Sequence, residues 1–169
     1  MSEATPLGDP PTGIKLLIMD CDGVLTDGRL YFSANGEVMK VFHVRDGQGI
    51  ASWHKAGFRS GIITGRDAED ILRQRANDLG IDFLYVRSTD KVRDLESILA
   101  AADVSAEETA YVGDDLADVP VMKRVGFPVA VADAVPEVIA AAAYVTKANG
   151  GYGAVREVVD LLLATKSQT

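Results

Sequence analysis

Residues 14–19, Ile-Lys-Leu-Leu-Ile-Met, form an apolar run that stops abruptly at Asp20-Cys21-Asp22-Gly23. A run of that length reads as a buried strand. In extended backbone, residues i and i+2 point the same way, so both carboxylates leave the carboxyl end of the strand together. That is the edge at which open α/β sheets bind ligands. Two neighbouring unpaired acids are costly unless a cation or a chemical task holds them there. Asp and Gly are also ordinary turn residues, so the quartet alone leaves a site and a solvated loop start both open.

The rest of the chain repeats the strand-then-helix pattern. Strand-like runs at 15–20, 58–63, 82–86, 108–112, 128–131 and 144–146 alternate with helical stretches at 45–56, 67–79, 90–102, 136–142 and 154–163. A further short helix is expected around Pro120. Gly57 and Gly80 stop two of the helices, and Thr89 or Asp90 caps a third. This alternation predicts an α/β fold, a doubly wound parallel sheet with helices on both faces. The exception is a β-hairpin after the first strand, where 28–32 and 37–42 flank Ser33-Ala34-Asn35-Gly36.

A chain of 169 residues suits a single domain, expected over 14–169 after a flexible, Pro-containing tail at 1–13. The tail lacks the basic start and apolar centre of a signal peptide. No apolar run approaches the roughly 20 residues of a membrane span. The net charge of −8 argues against a broad nucleic-acid face. It also repels anionic membranes and anionic substrates, unless positive groups are focused locally. With one cysteine, no intramolecular disulfide forms, which fits a reducing cytoplasm.

In a doubly wound sheet all strand ends of one sense share an edge, so residues far apart in sequence meet at one crevice. Asp20 and Asp22 end the first strand, Thr64 the second, Lys91 begins the helix after the third, and Asp114 and Asp115 follow the fourth, with Asp118 a turn later. These are the groups that phosphoryl transfer needs. A hard divalent cation prefers carboxylate and carbonyl oxygens, available from Asp20, Asp114 and the Asp22 backbone. Mg²⁺ is the expected ion, with Mn²⁺ or Co²⁺ able to substitute. A carboxylate can act as nucleophile and a second can move protons. A lysine and a hydroxyl can hold the charge on the equatorial oxygens.

In this order the motifs resemble the haloacid dehalogenase-like phosphatases. Asp20 to Gly23 matches their Asp-x-Asp-Gly motif, Thr64 their strand-end hydroxyl and Lys91 their lysine. Gly113-Asp114-Asp115-Leu116-Ala117-Asp118 matches their acidic motif. The resemblance implies Asp20 as nucleophile, Asp22 as general acid/base, and Asp114 completing the metal site. It also implies Asp115 supporting the metal or Lys91, with Asp118 as a further support and Gly23 and Gly65 at the substrate.

The intervening segments are similar to the capless branch acting on phosphorylated keto sugar acids, the 3-deoxy-D-manno-octulosonate (KDO) 8-phosphate phosphatases. Those segments include Val44-Arg45-Asp46-Gly47, Ile63-Thr64-Gly65-Arg66 and Gly153-Ala154-Val155-Arg156-Glu157-Val158. This likeness implies no cap domain, a hairpin flap at 28–43, and a homotetramer in which hairpins pack together and neighbouring chains help cover each site. It further implies a cytoplasmic role in building the lipopolysaccharide inner core. Gln48 and Tyr152 depart from the residues frequent in that branch, an aromatic and a basic residue respectively. They bear on which sugar acid is used, since KDN 9-phosphate phosphatases belong to the same branch. A catalytically silent scaffold would have lost a motif residue, and none is missing.

The remaining candidates divide by chemistry. Arg66 is expected to face an anion, since Arg suits planar carboxylate and phosphate groups. Arg45 either does the same or pairs with Asp46. Cys21 is expected to be a small apolar filler pointing away from the acids. His54 is expected on a helix surface, and His43 near the hairpin end. Gly150-Gly151 either hinges the C-terminal segment, 150–169, toward a neighbouring site or is a plain loop.

Overall fold

The computed structural model describes residues 10–167, so the expected tail falls largely outside the described residues. Six parallel strands form one sheet: β1 (Leu16–Met19), β4 (Arg59–Ile63), β5 (Phe83–Tyr85), β6 (Thr109–Gly113), β7 (Phe127–Ala130) and β8 (Tyr144–Val145). Their spatial order is β5-β4-β1-β6-β7-β8, so the chain winds outward from β1 in one direction and then in the other. Between them run α1 (Val44–Lys55), α2 (Glu69–Leu79), α3 (Lys91–Ala102), α4 (Val119–Met122) and α5 (Pro136–Ala141), with α6 (Ala154–Lys166) last. The expected α/β architecture is therefore present.

β1 is buried along its whole length, as a strand with helices over both faces must be. It pairs with β4 on one side and β6 on the other, Met19 aligning with both Ile62 and Val112. The chain consequently leaves three adjacent strands at nearly one height, as Asp20, Thr64 and Asp114. The reversal of strand order between β1 and β6 opens the crevice there.

The hairpin forms a separate two-stranded sheet, β2 (Tyr31–Ser33) with β3 (Gly36–Met39), shorter than the expected 28–42. Ser33 pairs with Gly36, so Ala34 and Asn35 make the bend and the glycine opens the second strand. Its polarity is inverted. Glu37 and Lys40 turn inward and are buried, whereas Phe32, Val38, Met39 and Val41 are exposed.

The C-terminal segment folds back on its own chain. α6 packs along α1, burying Val155, Val158, Val159 and Leu162. Its N-cap, Gly153, has no side chain to accept the free amides. Asp46 of α1 takes that place, accepting from the Arg156 amide at 2.9 Å. Just before, the Gly151 amide donates to the Val24 carbonyl at 2.9 Å. Gly150 lies so close to the motif turn that a β-carbon on it would sit 1.7 Å from the Gly23 carbonyl oxygen. The two glycines thus clamp the segment onto the Asp20–Gly23 turn of the same chain. Of the hinge and the plain loop that the sequence left open, this packing matches a fixed loop within its own chain.

Gly150→Ala is accordingly expected to destabilise the protein by about 1–3 kcal/mol, the usual cost of overpacking, and to disturb the turn below it. Thermal melting with a parallel phosphatase assay checks both; a variant with wild-type melting and turnover would contradict this packing argument.

Candidate active site

The turn after β1 is built by its own backbone. The Cys21 carbonyl accepts from the amides of Val24, Leu25 and Thr26, and Thr26 Oγ1 accepts from those of Gly23 and Gly28. Gly23 adopts φ of 87°, and a β-carbon there would fall 1.9 Å from Asp114 Oδ2. Glycine is required twice over, by the left-handed backbone and by the approach of the Asp114 carboxylate.

Lys91 ties the crevice together. Its Nζ lies 2.8 Å from Asp20 Oδ2 and 2.8 Å from Asp118 Oδ1. Asp118 is fully buried and spent on structure. Besides Lys91, its Oδ1 accepts from the Tyr111 hydroxyl at 2.6 Å, and its Oδ2 accepts from the amides of Asp114 and Asp115 at 2.9 and 3.2 Å. Burial pulls the Lys91 pKa down, but the charges of Asp20 and Asp118 outweigh it and leave it above the ordinary lysine value. An ammonium at a helix N-terminus opposes the macrodipole; here two carboxylates offset that cost.

The acids remain in excess. Burial, then repulsion from Asp118, raises the Asp20 pKa to about 6 against the opposing pull of Lys91. Burial, then the charges of Asp20, Asp118 and Asp115, pushes Asp114 to about 8. Asp114 Oδ1 is buried with no hydrogen-bond partner. Carboxylate oxygens of Asp20, Asp114 and Asp118 lie within 4.8 Å of one another. Since the oxygens of Asp118 are already engaged, Asp20 and Asp114 are the two carboxylates suited to a cation. A hard divalent ion fits this set, because it supplies the missing positive charge to an orphaned oxygen.

Thr64 is buried just past β4 and accepts from the Arg66 amide at 3.4 Å through its hydroxyl. Gly65 and Lys91 border a cleft of about 320 Å³ that also includes Ser88, Ala117 and Pro120. A cleft of about 410 Å³ opens beside Glu37, Asp67 and Arg87. Arg66 reaches toward Glu37 Oε2 at 3.4 Å and Asp22 Oδ2 at 3.8 Å.

Three expectations change and one holds. Of the two supports expected of Asp115, the one to Lys91 is absent: Asp115 is exposed and caps the turn Leu116–Asp118 by accepting from the Leu116 amide at 2.7 Å, and Asp118 holds the lysine instead. Arg45 lies exposed on the first turn of α1 and does not pair with Asp46, so of its two expected roles only the one facing an anion is left. Asp46 caps α6. His54 is half-buried, 2.7 Å from Ser60 Oγ and 3.8 Å from Asp82, rather than on an open surface. Cys21 is fully buried in the apolar core, as expected of a filler, and burial followed by the Asp22 charge pushes its thiol well above the ordinary value.

Lys40 and Glu37 escaped the sequence reading. Lys40 Nζ lies 2.6 Å from Asp22 Oδ1 and 2.8 Å from Glu37 Oε1, with 1% of its side chain exposed. Burial lowers its pKa, but the hydrogen bonds to Asp22 and Glu37 overcome this and raise it. The signal was the inverted hairpin pattern, charges at 37 and 40 among the apolar residues 38, 39 and 41.

The two raised carboxyls carry a sign that can be checked. Between about pH 4 and pH 8 the metal-free fold holds protons that the unfolded chain has released, so this pair makes stability fall as pH rises. Mg²⁺ should therefore raise the melting temperature more at pH 8 than at pH 6. Metal-free Asp114→Asn should melt about 2–4 °C above metal-free wild type, having lost a buried carboxyl that folding must either leave charged or force to take up a proton, and should show no response to Mg²⁺. Calorimetry with and without EDTA measures each shift, and an undiminished Mg²⁺ response in the variant would remove Asp114 from the cation site.

The haloacid dehalogenase-like hydrolase pattern matches residues 81–158. The chain is 48% identical over 155 residues to the 3-deoxy-D-manno-octulosonate 8-phosphate phosphatase of Yersinia pestis, covering 92% of this chain and 82% of that protein. It is similar to the cobalt-bound deoxy-D-mannose-octulosonate 8-phosphate phosphatase of Haemophilus influenzae, with a TM-score of 0.90 and 43% identity over 92% of this chain and 91% of that one. The Moraxella catarrhalis phosphatase, solved with a magnesium ion, a phosphate ion and KDO, has a TM-score of 0.89 and 34% identity, covering 93% of this chain and 90% of that one.

Proposed function

We propose that this chain, which belongs to the haloacid dehalogenase-like family of 3-deoxy-D-manno-octulosonate 8-phosphate phosphatases, hydrolyses KDO 8-phosphate to KDO and inorganic phosphate. The observation that carries the reading is the Asp20 carboxylate at the end of β1, 2.8 Å from the buried Lys91 ammonium, with a second carboxyl two residues on. Asp20 attacks phosphorus in line, the bond to the sugar oxygen breaks, and an aspartyl-phosphate forms. Asp22 gives its proton to the leaving alkoxide. It then takes one from the water that attacks the phosphoryl group, which frees phosphate and restores Asp20. Lys91 neutralises the approach of one anion to another. Thr64 and the backbone at Gly23 and Gly65 hold phosphoryl oxygens, and Arg66 takes the sugar-acid carboxylate. Mg²⁺ bound by Asp20, Asp114 and the Asp22 carbonyl supplies charge neutralisation, and Mn²⁺ or Co²⁺ substitutes for it.

The working form is a homotetramer of single-domain chains, each domain spanning 14–169 with its flap at 28–43. Supporting this are the outward apolar residues of the flap and of the start of α1, led by Phe32 at 63% and Val44 at 80% exposed. A two-stranded hairpin is marginal alone, and an exposed apolar patch marks an interaction surface. No helix among the described residues is long and apolar enough to cross a membrane. The enzyme works in the cytoplasm, in building the lipopolysaccharide inner core.

Phosphate release from KDO 8-phosphate should require Mg²⁺, stop with EDTA, and fall at least about 1000-fold in Asp20→Asn. KDO 8-phosphate should exceed KDN 9-phosphate in kcat/KM; the reverse order would reassign the substrate. Phe32→Glu with Val38→Glu should shift the protein from tetramer to smaller species in light scattering, and an unchanged mass would rule out the hairpin interface.

A further inference from the structure

Nothing in the motif turn itself orients the Asp22 side chain. Thr26 and the Cys21 carbonyl hold the backbone around it, and the carboxylate projects toward the hairpin. There Lys40, directly after β3, donates to Asp22 Oδ1 at 2.6 Å and to Glu37 Oε1 at 2.8 Å. The ammonium is almost wholly withdrawn from water, and 5% of the Glu37 side chain is exposed. A buried ammonium needs such partners, so the three groups hold one another in a single arrangement. Glu37 is steadied in turn by Arg66 at 3.4 Å. Asp22 Oδ2, by contrast, is buried and without a hydrogen-bond partner, with Arg66 Nε standing off at 3.8 Å.

We propose that Lys40 is the positioning residue for Asp22, reaching from the hairpin to fix Oδ1 so that Oδ2 alone exchanges the proton with the leaving oxygen and the attacking water. The inference rests on Asp22 as the proton-transfer group under the function above. Lys40 touches neither the phosphorus nor its leaving group in this scheme; it acts by holding a carboxyl whose displacement by about 1 Å would cost about 100-fold in rate. The inverted polarity of the hairpin follows from the same role: its charged face serves the site, and its apolar face is left outward.

The test compares kcat/KM for KDO 8-phosphate, whose alkoxide needs a proton to leave, with that for p-nitrophenyl phosphate, whose phenolate does not. Lys40→Met should lose about 100-fold on the sugar phosphate and far less on the aryl phosphate, as should Asp22→Asn. Adding Lys40→Met to Asp22→Asn should cost nothing more, because both changes act through one group. Lys40→Arg keeps the charge at a different reach, and should discriminate in the same sense but less; it carries the test if circular dichroism finds the methionine variant unfolded. Equal losses on both substrates, or a further loss in the double variant, would overturn the role of Lys40 while leaving the phosphatase reading intact. A wild-type enzyme inactive on both substrates would overturn that reading, and this inference with it.

Discussion

The bridge from Lys91 to Asp20 and Asp118 is the interaction on which the rest of this site depends. It joins the end of β1, the turn after β6 and the start of α3, three pieces that the sheet brings to one height but does not itself fasten. A buried ammonium between two carboxylates tolerates little displacement, because each charge left unpaired would be expensive. Asp118 extends the restraint by accepting from the Asp114 and Asp115 amides and the Tyr111 hydroxyl. One ammonium still leaves the carboxylates in excess. The imbalance shows in the raised pKa values of Asp20 and Asp114 and in the unpartnered Asp114 oxygen. The site is an anion trap only once a cation joins it.

Around that core the site is closed from two sides. From below, Gly150 and Gly151 press the C-terminal segment onto the Asp20–Gly23 turn, and Asp46 secures the segment by capping α6. From above, the hairpin lowers Glu37 and Lys40 onto Asp22. The hairpin's own stability is meagre, so its position depends on this buried ion network and on whatever covers its apolar outer face. Catalytic geometry and surface hydrophobicity are thus two faces of one small element.

Much of this was legible in the residues. The apolar runs and their spacing predicted every strand of the parallel sheet, with end points shifted by at most one residue because strands end where pairing ends rather than where hydrophobicity does. Asp20, Thr64, Lys91 and Asp114 were found because each follows a recognisable strand or begins a helix. Lys40 and Glu37 were not, because their meaning lies in an inverted pattern that looks like ordinary hairpin charge until the partner carboxylate is seen. Asp46 was hidden in the opposite way. Its neighbour Arg45 looked like its natural partner, yet Asp46 accepts from the amide of Arg156, more than a hundred residues away.

By itself the sequence determined the parallel α/β sheet and the strand ends that gather Asp20, Thr64, Lys91 and Asp114 on one edge. Those follow from local periodicity and from the rule that parallel strands point one way. Only the tertiary structure decided which acid holds Lys91, which oxygens remain free and which lysine reaches Asp22. Those outcomes depend on distances of a few ångströms between segments far apart in the chain, and on which charges burial leaves without a partner.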